Sequence, residues 1–281
     1  MTLAALPAAA GAASTPTPAL SLERVSVSYP APGGARMRVI SDLDLQVEES
    51  EYVVVIGANG AGKSTLLNAI AGAVSMESGT ALVGGEPVGS MSLRRRSELV
   101  SRVFQDPSMG VCGDLTIGEN LALGLMKGTR HSPWRRALTG RREERSMDLL
   151  RDYGSTLDAR LSDPIASLSG GQRQLVALTV ALARVPRLLL LDEHTSALDP
   201  EIGRIVMERT DAAIREHEVT TIMVTHNMRQ AARFGDRLLI MSQGRIVADI
   251  AADEKAELGE DGLVDRFRQA VADEMTDRIL G

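Results

Sequence analysis

Apolar and polar positions change their period several times along this chain, and each change marks an element. From Leu22 to Tyr29, and again from Val39 to Val47, apolar and polar residues alternate, with Pro30-Ala31-Pro32-Gly33-Gly34 between them as a turn. That alternation predicts two strands of a half-exposed antiparallel sheet. Tyr52-Val53-Val54-Val55-Ile56 is instead continuously apolar and β-branched. That run predicts a buried strand, and the runs 187–191 and 220–224 predict central parallel strands covered on both faces. Val100–Phe104 predicts one more short strand, and Arg237–Met241 with Arg245–Ile250 a closing pair around Gln243-Gly244. Helical periodicity follows the glycine-rich stretch at 57–62 and governs most of 114–184. In the acidic segment 251–281, Leu263, Phe267, Val271 and Met275 recur every four residues as one helical stripe. That stripe suits docking on the chain's own body, and equally a regulatory or dimer contact. The order of elements is antiparallel strands, a glycine loop, a helical insertion at about 106–180, then parallel strands. It predicts an α/β fold.

Composition narrows the classes. A chain of 281 residues that is 44% hydrophobic and 24% charged suits a globular protein with a substantial core. The net charge of −6 provides no basic field for nucleic acid. A single cysteine, Cys112, excludes a disulfide within the chain and fits a reducing compartment. Apolar runs are of strand length and interrupted by charge, so no transmembrane helix is expected. Residues 1–20, rich in Ala, Pro and Thr and without a basic start, read as a disordered tail rather than a signal peptide. Residues 127–146 are Arg-rich and contain Trp134; they suit a solvated helical face, or contact with anionic lipid or a partner.

Three clusters carry chemistry. Gly57-Ala58-Asn59-Gly60-Ala61-Gly62-Lys63-Ser64-Thr65 lies between an apolar strand and a helix, the setting of a phosphate-binding loop. Its glycines let successive N–H groups turn around phosphate oxygens, and the helix start adds its positive dipole end. Lys63 supplies a point charge to the β- and γ-phosphates, and Ser64 a hydroxyl to Mg²⁺. The run ending in Asp192-Glu193 delivers two carboxylates from a buried strand: Asp192 suits Mg²⁺, and Glu193 can polarise an attacking water. A helix cap is the plainer use of such a pair. Leu168-Ser169-Gly170-Gly171-Gln172 opens a helix and forms a second anion site.

With these motifs in this order, the chain resembles the ATP-binding cassette (ABC) ATPases over roughly residues 21–250. The resemblance implies a P-loop NTPase fold of ABC type, with an antiparallel β subdomain and an inserted helical subdomain. It implies ATP and Mg²⁺ as ligands. Gly57, Asn59, Gly60, Ala61, Gly62, Lys63, Ser64 and Thr65 then cradle the nucleotide, and Ser64, Gln105 and Asp192 serve the metal. Glu193, His226 and Gln105 become the catalytic set, with His226 contacting the γ-phosphate. Tyr29 matches the aromatic that stacks on adenine, although a strand-end core role suits it equally. Asp199, in Ser196-Ala197-Leu198-Asp199, matches the loop that crosses a dimer interface. Family members meet head to tail, so that Ser169, Gly170, Gly171 and Gln172 close on the other chain's ATP; a homodimer is implied. His194 stands where many members have Pro. Asp-Glu-His-Thr together with Thr225-His226-Asn227-Met228-Arg229 resembles a subgroup of bacterial importers for aromatic amino acids. Those importers pair the cassette, at the cytoplasmic face of the membrane, with an integral membrane permease and an extracytoplasmic substrate-binding protein. A soluble ABC ATPase of cofactor assembly, DNA repair or translation is the competing expectation.

Overall fold

The computed structural model describes residues 17–127, 140–152 and 157–280. Most of the N-terminal tail, and Trp134 with much of the Arg-rich run, lie outside the described residues, as does the side chain of Met275.

Two sheets carry the chain. The first contains β1 (Leu20–Pro30), β2 (Arg36–Val47), β4 (Ser78–Val83) and the short β5 (Glu86–Pro87), antiparallel in the order β2-β1-β4-β5. The second contains β3 (Tyr52–Gly57), β6 (Val100–Val103), β7 (Leu188–Asp192), β8 (Thr221–Val224), β9 (Arg237–Ser242) and β10 (Arg245–Ile250), in the order β10-β9-β3-β8-β7-β6. All of its pairings are parallel except β10 on β9.

The continuously apolar strands are wet on neither face. Along β3, Val53 and Val55 enter one core while Tyr52, Val54 and Ile56 enter another; along β7, Leu188 and Leu190 part from Leu189 and Leu191 in the same way. The first core lies between the two sheets and includes Leu66, Leu67 and Ile70 of α1 (Lys63–Ala71). The buried Arg96 of α2 (Leu93–Leu99) closes the end of α1 by donating to the carbonyl of Ala69 at 3.0 Å. The second core takes in α6 (Pro200–Glu216), α7 (Met228–Arg233) and α8 (Ala252–Leu280). Between β6 and β7 run α3 (Ile117–Leu125), α4 (Gly140–Asp152) and α5 (Gly170–Leu182). These helices build a small core of their own, with Ile117, Leu121, Leu150 and Val176.

Two expectations are modified. The outer face of β1 is not simply exposed: Ser21, Ser26 and Ser28 are buried because β1 is flanked on both sides, and the hydroxyls of Ser26 and Ser28 donate to Asp42 and Glu77. In α8 the chain bends at Gly259, whose φ of +60° combined with ψ of −167° suits only glycine. Beyond the bend Leu263 and Ala270 are buried and Phe267 packs beside them, so the first half of the stripe docks on the chain's own second core, with Ala270 there in place of Val271.

Candidate nucleotide site

The parallel sheet gathers its chemistry on one edge. β3, β8, β7 and β6 are successive neighbours with parallel register, Val55 opposite Val224, Asp192 opposite Val224 and Val103 opposite Leu191. Their carboxyl ends therefore deliver, side by side, the glycine loop, His226, Asp192-Glu193 and Gln105; open α/β sheets bind ligands at this edge.

The loop between β3 and α1 is shaped by glycine at particular points. Gly60 and Gly62 have φ of +81° and +100°, and a Cβ on Gly57 would come within 2.3 Å of the Met241 carbonyl oxygen. Ala58, Asn59, Gly60 and Ser64 are exposed, whereas Lys63 and Thr65 are buried. The Lys63 ammonium donates to the carbonyls of Gly57 at 2.7 Å and Ala58 at 3.1 Å. Burial lowers its pKa below the usual lysine value, opposed by the carboxylates of Glu193 and Asp192.

Asp192 ends β7, and Glu193 turns sharply away with φ of +45°. That turn brings a Glu193 carboxylate oxygen to 2.9 Å from Nδ1 of His226, one residue past Thr225 beyond β8. A cleft of about 440 Å³ opens here, lined in part by Glu193, Thr195, Thr225, His226 and Gln230. Gln230 receives the Thr225 hydroxyl at 2.9 Å and donates to Thr195 at 3.0 Å, so it ties the turn after Glu193 to the turn after β8. Nothing in the sequence spacing pointed to Gln230. Arg102 of β6 was also missed: its guanidinium pairs with the Asp192 carboxylate and lies 4.7 Å from the centre of the Phe104 ring.

The remaining predicted residues lie around this edge. Gln105 is exposed just past β6. Tyr29, at the end of β1, packs against the first core with its hydroxyl 3.5 Å from the Thr65 hydroxyl oxygen. Ser169 caps α5 by accepting from the N–H of Gln172 at 3.3 Å, and its own N–H donates to Gln172 Oε1. Gly170 and Gly171 rest against Leu198 and Ile202, where a Cβ on Gly171 would come within 2.2 Å of Ile202 Cγ2. Asp199 caps α6, accepting from the N–H of Glu201 at 3.2 Å.

The donor set suits a hard cation. Ser64, Gln105 and Asp192 offer only oxygen, with one carboxylate, as Mg²⁺ prefers when phosphate and water complete its shell. Among the described residues there is no cluster of three or more His, Cys, Asp or Glu arranged for a metal. Also among them, no helix is long and apolar enough to cross a membrane.

Residues 40–196 match the ABC transporter family. The chain belongs to that family. This cassette is an ATPase with a P-loop α/β fold. It is 39% identical over 245 residues to the tyrosine transport ATP-binding protein of Clostridioides difficile (strain R20291), a match covering 86% of this chain and 96% of that one. It is 37% identical over 210 residues to the thiamine import ATP-binding protein ThiQ of Salmonella choleraesuis (strain SC-B67), covering 75% and 84%. Among solved structures it resembles the ATP-binding cassette MJ0796 in a dimeric post-hydrolysis state bound to ADP and Pi. That likeness has a TM-score of 0.71 and 27% identity, and covers 83% of this chain and 98% of that one.

Proposed function

We propose that this cassette powers solute uptake, with an aromatic amino acid such as tyrosine or tryptophan as the cargo, through a separate integral membrane permease fed by an extracytoplasmic binding protein. The near full-length likeness to a tyrosine transport ATPase supports the cargo class. In this reading the permease seats on the loop 104–115, where Met109 and Cys112 are exposed, and the cassette works at the cytoplasmic face of the membrane.

The observation that carries the hydrolytic reading is the Glu193–His226 contact beside the glycine loop. Lys63 exchanges the carbonyls of Gly57 and Ala58 for phosphate oxygens when ATP enters. Gly57, Asn59, Gly60, Ala61, Gly62, Ser64 and Thr65 present N–H groups and hydroxyls to the phosphates, and Tyr29 stacks on adenine. Ser64, Gln105 and Asp192 hold Mg²⁺, which neutralises phosphate charge when bound. Glu193 takes the proton of the attacking water. His226 donates from Nδ1 to Glu193, which orients that carboxylate and leaves Nε2 facing the γ-phosphate. Ser169, Gly170, Gly171, Gln172 and Asp199 act on the ATP of a second copy, as the head-to-tail pairing of family members implies; within this chain they cap α5 and α6 and pack against each other's elements.

The test is Glu193→Gln. Hydrolysis is expected to drop by about 100-fold or more while ATP still binds and a closed dimer accumulates on size exclusion. Turnover within about twofold of the parent would remove Glu193 from the base role. Affinity purification from native membranes tests the transport assignment: a multi-span permease is expected, and soluble partners alone would overturn it.

A further inference from the structure

Arg102 is a charged residue in a strand of otherwise small or apolar side chains, and its guanidinium has three neighbours. It pairs with the Asp192 carboxylate through Oδ2, with the two side chains only 12% and 14% exposed. It donates to Asn68 Oδ1 of α1 at 2.6 Å. It lies over the ring of Phe104, the residue before Gln105. The Phe104 carbonyl in turn accepts from the buried Gln174 of α5 at 3.1 Å. One cation thus touches the acid that ends β7, the helix of the glycine loop, and the segment leading to Gln105 and the Ser169 helix.

We infer that Arg102 is a place-holder for the divalent cation, a positioning residue that neutralises Asp192 until metal and nucleotide arrive and then releases it. The inference rests on the reading of Asp192 as a Mg²⁺-holding group. A carboxylate this far out of water is costly without a counter-charge, so the guanidinium stabilises the empty site. A guanidinium and Mg²⁺ close to one carboxylate repel each other strongly in such surroundings, so metal entry favours withdrawal of the arginine. Withdrawal lifts the guanidinium off Phe104. The Phe104 carbonyl is held by α5, so metal occupancy at Asp192 is felt at Gln105 and at the start of the Ser169 helix.

The test is a Mg²⁺ titration of fluorescent ADP binding to the full chain, with Arg102→Gln and Arg102→Lys beside the parent. Gln keeps hydrogen bonding and drops the charge, so its Mg²⁺ midpoint is expected about tenfold lower; Lys keeps the charge and is expected within about threefold of the parent. Nucleotide affinity in EDTA is expected unchanged in both, because the Lys63 loop is intact. Hydrogen exchange over 104–112 and the first turn of α5 is expected to respond to Mg²⁺ in the parent and not in Arg102→Gln. If the Gln variant does not fold, Arg102→Met, apolar and of similar length, replaces it with the same expected shift. A midpoint unchanged or raised in the charge-free variants overturns the place-holder role while leaving the metal reading intact. Parent binding indifferent to Mg²⁺ overturns the metal reading itself, and the place-holder with it.

Discussion

His194 directly follows Glu193 and is sealed from solvent. The Thr210 hydroxyl donates to the Val206 carbonyl at 2.8 Å, so at 3.2 Å from His194 Nε2 it can only accept, and the ring is neutral with its proton on Nε2. Burial pulls its pKa down to about 4. The unfolded chain, with a histidine near 6.5, binds the proton that the folded chain refuses between those values. Stability therefore falls as pH drops from 6.5 to about 4, by up to about 3 kcal/mol, and is fully present above 6.5. His194→Gln keeps an amide donor for Thr210 and does not titrate. Urea unfolding at pH 7 and pH 4.5 is expected to show a smaller pH loss for this variant; equal losses would place the acid sensitivity elsewhere. The glycine loop, the paired acids and the Ser-Gly-Gly helix start could be read from sequence because each is a local pattern with a local physical reason. Arg102 could not, because its partner Asp192 is 90 residues away and only strand pairing makes them neighbours. Gln230, which bridges Thr195 and Thr225, was hidden for the same reason.

At the scale of elements, runs buried on both faces were the clearest signal, and β3, β7 and β8 lie within a residue or so of their apolar runs. β5, of two residues, has no period to detect. The exposure of β1 departs from the alternation because alternation reports side-chain chemistry, not the Asp42 and Glu77 carboxylates that cover Ser26 and Ser28 on its outer face. α8 is the least obvious attachment. Lys255, in its first turns, is buried and donates to the carbonyls of Phe234 and, at 2.8 Å, Gly235, where α7 ends. Lys255→Met leaves both carbonyls without their donor, at a cost of about 2 kcal/mol. Faster hydrogen exchange across 252–274 with little change in α1 is the expected signature; uniform exchange would mean the tail is held by its apolar stripe alone.

For the whole molecule, the helix opened by Ser169 joins two cores: Val176 packs with the helical insertion, while Leu178 and Leu182 pack with Leu189 and Leu191 of β7. In the two-copy arrangement proposed above, each site borrows that helix start from the other chain. Ser169→Arg places bulk and charge on an exposed helix N-terminus without touching the Lys63 loop. ATP affinity of a single chain is expected to stay within about twofold. Light scattering is expected to show no ATP-induced dimer when Ser169→Arg is added to Glu193→Gln; an undiminished dimer would refute the borrowed site.

The neighbouring order β3-β8-β7-β6 has one more consequence. The lysine loop, the histidine, the two acids and the glutamine are spaced by a hydrogen-bond ladder, about 4.8 Å per rung, and not by the loops that follow the strands. Such a ladder is a ruler with discrete marks. One residue inserted within β8 would advance His226 by about 3.3 Å and turn its ring to the opposite side of the sheet, away from Glu193. Extra residues at the other edge, such as the turn between α6 and β8, leave every mark in place. Chain length is therefore free to drift on one edge of this sheet and is locked on the other.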